Sequence, residues 1–396
     1  MKYDFETPVN RRNDYALKWG GPADELPLWV ADMDFRTAPE ITEGLLETVR
    51  EGIFGYTDIP RIWHRAFKDW WQKEHGLNSE EDWFVFVTGV VPALSSIVRR
   101  ITLPNEKVCI MTPVYGIFWN SIENQGRRVL ECPLDYDREQ GSCSLNAARL
   151  EACLRDPQCS LLFLCNPHNP VGKIWSREDL LIISDLAAKH GVTVVSDEIH
   201  CDLTLPGREY TPYAAVSEAA ARNSITCMSA SKAFNLAGLH AAAVMIPDPF
   251  LRHRISRGLN NEELAESGTL GALSAVLAFT RGKPWLQELR TKLAENRNLA
   301  AAFLAAEIPE FRVIPGEATY LLWADISGVT SDDRKFCAFL RKEAKLRISP
   351  GWDFGESGRG FVRINLACPE VTLKEALRRL RDGTRQFLAK RDAPAL

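Results

Sequence analysis

Lys232 stands among hydroxyl residues in Ser229-Ala-Ser-Lys-Ala-Phe-Asn-Leu-Ala-Gly238, just past the apolar run 224–228. Its amine has two readings. It is a solvated surface charge at a strand end, or a nucleophile that forms a Schiff base with an aldehyde and later moves a proton. Under the second reading Ser229 and Ser231 are phosphate donors. Asp197, in Ser196-Asp-Glu-Ile-His200, closes another apolar run. Burying a carboxylate is costly without a cation or donor opposite it, and a protonated heterocyclic nitrogen meets that need. His200 is either a satisfied core histidine or a further ligand group. Asn169 sits in Asn166-Pro-His-Asn-Pro-Val-Gly172, a rigid polar turn. That turn either merely connects two elements or fixes an amide on a ligand oxygen. Thr88-Gly-Val-Val-Pro92 opens a helical stretch. The N–H groups of Gly89, Val90 and Val91 suit a phosphate there, although a plain tight turn uses the same residues. Tyr115 is a packing residue or a platform for a planar ring.

These residues need elements that bring them together. Short β-branched runs at 85–87, 108–111, 161–165, 192–196, 225–228 and 242–246 read as buried strands, and their near-continuous apolar character suits a sheet covered on both faces. Amphipathic stretches such as 177–190 lie between them. The alternation predicts an α/β fold with a mostly parallel sheet flanked by helices. The candidate residues then fall at the carboxyl ends of strands, where open α/β sheets bind ligands. The last third changes style. Strands are expected at 311–313, 320–325 and 361–366, and helices at 333–345 and 372–390, which makes a smaller α+β unit. The expected division is an N-terminal segment 1–45 packing with the small unit, a large domain 46–284 and a small domain 285–396. Within the first segment, Pro27-Leu-Trp-Val-Ala-Asp-Met-Asp-Phe35 is too apolar for a free tail. It packs on the small domain or lines a cleft, and Ala31 is a candidate substrate contact.

Composition narrows the classes. A chain of 396 residues exceeds one simple core. The formal net charge of −4 gives no basic surface for nucleic acid. The longest apolar stretch, 268–279, is too short to cross a membrane and reads as a buried helix. The beginning of the chain shows no apolar signal core, so a soluble cytoplasmic protein is expected. The ten cysteines form no CxxC pairs. They read as core thiols, and no metal centre is expected.

Taken together, Gly55-Tyr-Thr57, Thr88-Gly-Val90, Asn166-Pro-His-Asn-Pro-Val-Gly172, Asp197-Glu-Ile-His200 and Ser229-Ala-Ser-Lys232 resemble the fold-type I pyridoxal-phosphate enzymes, the aspartate aminotransferase superfamily of class I/II. The resemblance covers essentially the whole chain. Within that group the chain is most similar to the cystathionine β-lyase/cystalysin type of C–S lyase, through Trp29-Val-Ala-Asp-Met-Asp-Phe35, Asp197-Glu-Ile-His200 and Lys232-Ala-Phe-Asn-Leu-Ala-Gly238. Ordinary aminotransferases of the group usually carry tyrosine where His200 stands. The resemblance implies pyridoxal 5'-phosphate as cofactor, with Lys232 as its covalent anchor and Asp197 on the ring nitrogen. Tyr115 stacks on the ring, and Asn169 with His200 reaches its phenolic oxygen. Gly89, Val90, Val91, Ser229 and Ser231 hold the phosphate. Tyr56 reaches the phosphate of a neighbouring subunit, which implies a homodimer. Arg363, in Phe361-Val-Arg-Ile-Asn365, clamps the substrate α-carboxylate as a bidentate pair. Its plainer role is a surface arginine, which an otherwise apolar strand disfavours.

One position departs from the pattern. Many relatives carry an arginine eight residues after the lysine as a phosphate partner, and here it is His240. The expected activity is β-elimination of a sulfur amino acid to pyruvate, ammonia and a thiol. The alternative is an aminotransferase, which shares the steps up to loss of the Cα proton. A non-catalytic cofactor-binding regulator is disfavoured by the intact lysine and by the lack of any spare segment for a DNA-binding module.

Overall fold

The computed structural model describes residues 2–392. Seven strands form the main sheet: β1 (Phe84–Val87), β2 (Lys107–Ile110), β3 (Arg128–Glu131), β4 (Cys159–Cys165), β5 (Thr193–Asp197), β6 (Ser224–Met228) and β7 (Ala242–Met245). Their order is β1-β7-β6-β5-β4-β2-β3. Only β7 runs antiparallel to its neighbours. The carboxyl ends of β1, β2, β4, β5 and β6 therefore share one edge, and β7 begins there.

The apolar runs became strands because both faces are covered. β4 buries six of its seven residues and β6 buries all five. β5 is displaced by one residue from the sequence expectation, so Asp197 is itself the last strand residue. The edge strand β3 was not expected. Its residues are only partly covered and too polar to read as buried. The helix Arg177–His190 starts at Ser176, whose side chain accepts from the Asp179 N–H. It carries Glu178 and Asp179 in its first turn and stops at Gly191 in the left-handed region (φ 66°). Each feature favours a helix at that end. The helix Thr269–Arg281 is the buried one read from 268–279.

A second sheet holds β8 (Arg312–Val313), β9 (Leu321–Asp325), β10 (Ser349–Pro350) and β11 (Phe361–Asn365), in the order β8-β9-β11-β10. The helix expected over 333–345 is α-helical over Asp333–Phe339 and continues as a π-helical turn, Leu340–Ala344. The helix Lys283–Glu307 joins the two cores. Trp285, Leu289 and Leu293 enter the larger core, while Ala300 and Leu304 enter that of the small sheet.

The N-terminal segment is shared in the same way. Leu26–Pro27 pairs in parallel with Leu346–Arg347, and Leu28 joins the small core. Tyr3, Phe5, Met33 and Phe35 pack into the large one. Between these anchors the Asn365 side chain donates to the Val30 and Asp32 carbonyls, each at 2.6 Å. The Asn235 side chain donates to the Met33 and Phe35 carbonyls. Residues 29–35 are thus strung from the small sheet to the loop after Lys232. No helix among the described residues is long and apolar enough to cross a membrane.

Candidate active site

A cavity of ≈ 270 Å³ opens at the shared strand edge. Gly89, Val90 and Val91 line it after β1, Tyr115 after β2, Asn169 after β4, Asp197 and His200 at the end of β5, and Ser229, Ser231 and Lys232 after β6. Ala31 reaches it from the N-terminal segment, and His240 from the entry to β7. The sheet topology therefore gathers almost every residue singled out in the sequence. Tyr56 and Arg363 are the exceptions. Arg363 stands behind the cavity wall. Tyr56 lies in an exposed loop outside the cavity, flanked by exposed Ile53 and Phe54.

The Lys232 ammonium donates to the Ala31 carbonyl at 2.6 Å. Burial pushes its pKa down to about 8, against the attraction of Asp32. An amine tuned this way loses its proton near neutrality, as a general base must. Asp197 is buried and accepts from the Ile199 N–H at 3.2 Å. Burial pushes its carboxyl up to about 7, while the Lys232 charge pulls the other way. No salt bridge compensates it among the described residues.

His200 is buried, and burial pushes its pKa down to about 3, with the Lys232 and Arg363 charges acting in the same sense. Its imidazole is neutral, and its Nδ1 is buried without a partner. Burial also raises the Tyr115 phenol, keeping it protonated. The helix Val90–Ile101 begins at Gly89 with no side-chain cap. Its positive end is open to the cavity, as anion sites require. Ser229 donates to the Ala241 carbonyl at 2.7 Å and accepts from the Ser231 N–H, so its single proton is already committed. Among the residues lining the cavity, Lys232 is the sole lysine or arginine.

Arg363 lies on β11, buried just behind this wall. It donates to Asn169 Oδ1 at 3.2 Å and to the Trp29 carbonyl at 2.8 Å. Its guanidinium lies 4.7 Å from the Phe354 ring centroid, and its Nε is buried without a partner. Burial pushes its pKa down to about 10, so it remains a cation at neutral pH.

Two groups were missed in the sequence. Tyr320 is buried, and its hydroxyl donates to the Ala31 carbonyl at 3.0 Å. Asp32 faces Lys232 electrostatically and pairs with Arg11 at 3.1 Å. Tyr320 has no local motif, and Asp32, although inside the 29–35 stretch, was given no role. The Asp32 signal was its place beside Ala31, while Tyr320 offered only its position at the start of an apolar strand.

The family model described as aminotransferase class I and II matches residues 25–380. The chain belongs to the aminotransferase class I and II family. It is 40% identical to the cystathionine beta-lyase PatB of Bacillus subtilis over 96% of this chain and 99% of that protein. It is 33% identical to the protein MalY of Escherichia coli, over 95% and 97% of the two chains. Among solved structures, cystalysin from Treponema denticola, described as containing a pyridoxal 5'-phosphate cofactor, superposes with a TM-score of 0.94. That match is 33% identical and covers 98% of this chain and all of the other. The α/β fold with its second sheet is thus a fold of this family, as expected from the sequence.

The cavity suits a pyridoxal phosphate on its own chemistry. A low-pKa amine is present for the aldehyde, and an uncompensated buried carboxylate for a protonated ring nitrogen. An orphaned His200 nitrogen waits for a ring substituent, and an uncapped helix end for a phosphate.

Proposed function

We propose that this chain is a pyridoxal-phosphate-dependent C–S β-lyase acting on sulfur amino acids of the cystathionine or cysteine type. The observation that carries the proposal is the convergence of Lys232, Asp197 and the uncapped helix end on one cavity. The likeness to PatB and cystalysin supports the lyase chemistry over transamination.

Lys232 would anchor the cofactor, and Asp197 would hold a positive charge on the ring nitrogen. Tyr115 would hold the ring, and Asn169 and His200 would bind its oxygen. The N–H groups of Gly89, Val90 and Val91 would receive the phosphate, with the Ser231 hydroxyl and His240. When bound, pyridoxal phosphate supplies an electron sink for the pair left at the substrate Cα, from which a sulfur on Cβ is expelled.

The chain's own residues do the rest. Arg363 turns its fork from Asn169 and Trp29 to the substrate α-carboxylate. The Lys232 amine, as general base, would remove the Cα proton. The Ala31 carbonyl holds the amine, and Tyr320 holds that carbonyl. The proton gained by Lys232 is then at hand for the departing thiolate. Burial of the cavity wall keeps water from competing for it.

The protein works as a homodimer in this reading, with Tyr56 reaching the phosphate end of a second copy's cavity. The full exposure of Tyr56 beside Ile53 and Phe54 supports this. Ten unpaired cysteines suit a reducing cytoplasm. The function is tested by supplying L-cystathionine and assaying free thiol, pyruvate and ammonia. Equal release of all three supports it. Consumption of L-cystathionine without thiol release overturns it.

A further inference from the structure

Residues 197–202 form a turn that serves two cavities. Asp197 and His200 line the one described above, whereas Cys201 and Asp202 line a second, of ≈ 310 Å³, walled by Trp70, His75, Tyr210 and Arg290. In this second cavity His75, Cys201 and Asp202 bring a ring nitrogen, a sulfur and a carboxylate oxygen within 4.8 Å of one another. Cys201 and Asp202 are buried, and His75 is partly covered at the end of the helix Arg61–His75. Asp202 Oδ1 accepts from Trp70 Nε1 at 2.9 Å and lies 2.9 Å from His75 Nε2.

We propose that His75, Cys201 and Asp202 form a site for a thiophilic divalent cation of the zinc class. Nitrogen, sulfur and oxygen donors in one small set suit zinc, with a fourth position open to the cavity. Magnesium and calcium prefer oxygen ligands alone. Trp70 orients the carboxylate from outside the ligand set, as partners of metal ligands do. Binding inserts the cation where His75 and Asp202 now share a hydrogen bond, and the Cys201 thiol proton leaves to solvent. Burial raises the free thiol far above its ordinary range, and a coordinated dication reverses that preference. The thiolate and carboxylate charges then balance the cation. The site lies on the far wall of the turn that carries Asp197, and it stands whether or not the lyase reading holds.

The test is calorimetric titration of the chelator-treated holoprotein with zinc ions, followed by zinc-edge X-ray absorption. The expected result is a single saturable site with one sulfur ligand. Cys201→Ser should remove the sulfur signal, and His75→Gln should weaken binding roughly tenfold or more. Circular dichroism melts establish that the variants fold. If they do not, protection of Cys201 from alkylation by zinc in the unaltered protein decides the matter. No saturable binding, no zinc protection of Cys201, or an unchanged sulfur signal in a folded Cys201→Ser protein overturns the proposal.

Discussion

Lys232 Nζ and the Ala31 carbonyl oxygen lie 2.6 Å apart, although the two residues belong to opposite ends of the architecture. The contact exists because Asn365 and Asn235 hold residues 29–35 from either side. Tyr320 completes it through its own bond to the same carbonyl. Removing that hydroxyl with Tyr320→Phe costs one hydrogen bond, about 0.5–1.5 kcal/mol. The turnover number should fall roughly 2–10-fold, with the cofactor still bound. Steady-state kinetics beside a cofactor absorbance spectrum check this. An unchanged turnover number removes Tyr320 from the positioning of Lys232.

Arg363 is buried behind the cavity wall and carries an unpartnered Nε. Arg363→Lys keeps a charge but loses the planar fork. A drop in kcat/KM of roughly 30–1000-fold is expected, from about 2–4 kcal/mol of lost carboxylate binding. The cofactor spectrum should not change. Cofactor loss in place of a substrate effect would show that Arg363 holds up the cavity wall instead.

Asp197 gives a pH prediction with a definite sign. Its carboxyl is raised to about 7 in the folded chain, above its unfolded value. The cofactor-free protein therefore binds an extra proton on folding, and its stability falls as pH rises from about 4 through 7. Asp197→Asn abolishes this term. The cofactor-free variant should be more stable than its parent at pH 8, by ~1–4 kcal/mol, and no more stable at pH 4. The same variant should gain less from added pyridoxal phosphate, because the ring nitrogen loses its anion. Thermal melts with and without the cofactor at both pH values measure each effect.

His240 lines a cavity whose wall holds no arginine. In the proposed arrangement the cofactor phosphate would rest on backbone donors, a serine hydroxyl and an imidazole. His240→Arg should slow cofactor loss during dialysis, and His240→Ala should hasten it. Equal loss rates in all three proteins exclude a phosphate contact at this position.

Much of this layout could be read from residue types because the main sheet is buried on both faces, so its strands are simple apolar runs. Asp197, Asn169 and Lys232 were legible for the complementary reason: polar groups closing apolar runs must have an occupation. β3 was not legible because an edge strand is half exposed and its residues look like loop. The helix Arg61–His75 was overlooked although Trp63, Phe67, Trp70 and Trp71 mark one helical face. Tyr320 and the second cavity depend on long-range contacts that no local spacing encodes. Asp202 meets Trp70 and His75 only once the chain has folded.

The most direct measurement of the central claim is the number of pyruvate molecules released per cofactor from L-cystathionine with no 2-oxo acid present. β-Elimination leaves the cofactor in its starting form, so pyruvate should accumulate far beyond the amount of enzyme. A transaminase stops once each cofactor has accepted one amino group. Failure of pyruvate to exceed the enzyme concentration, with the uncleaved 2-oxo acid of cystathionine formed in its place and in quantity only when another 2-oxo acid is added, contradicts the lyase assignment.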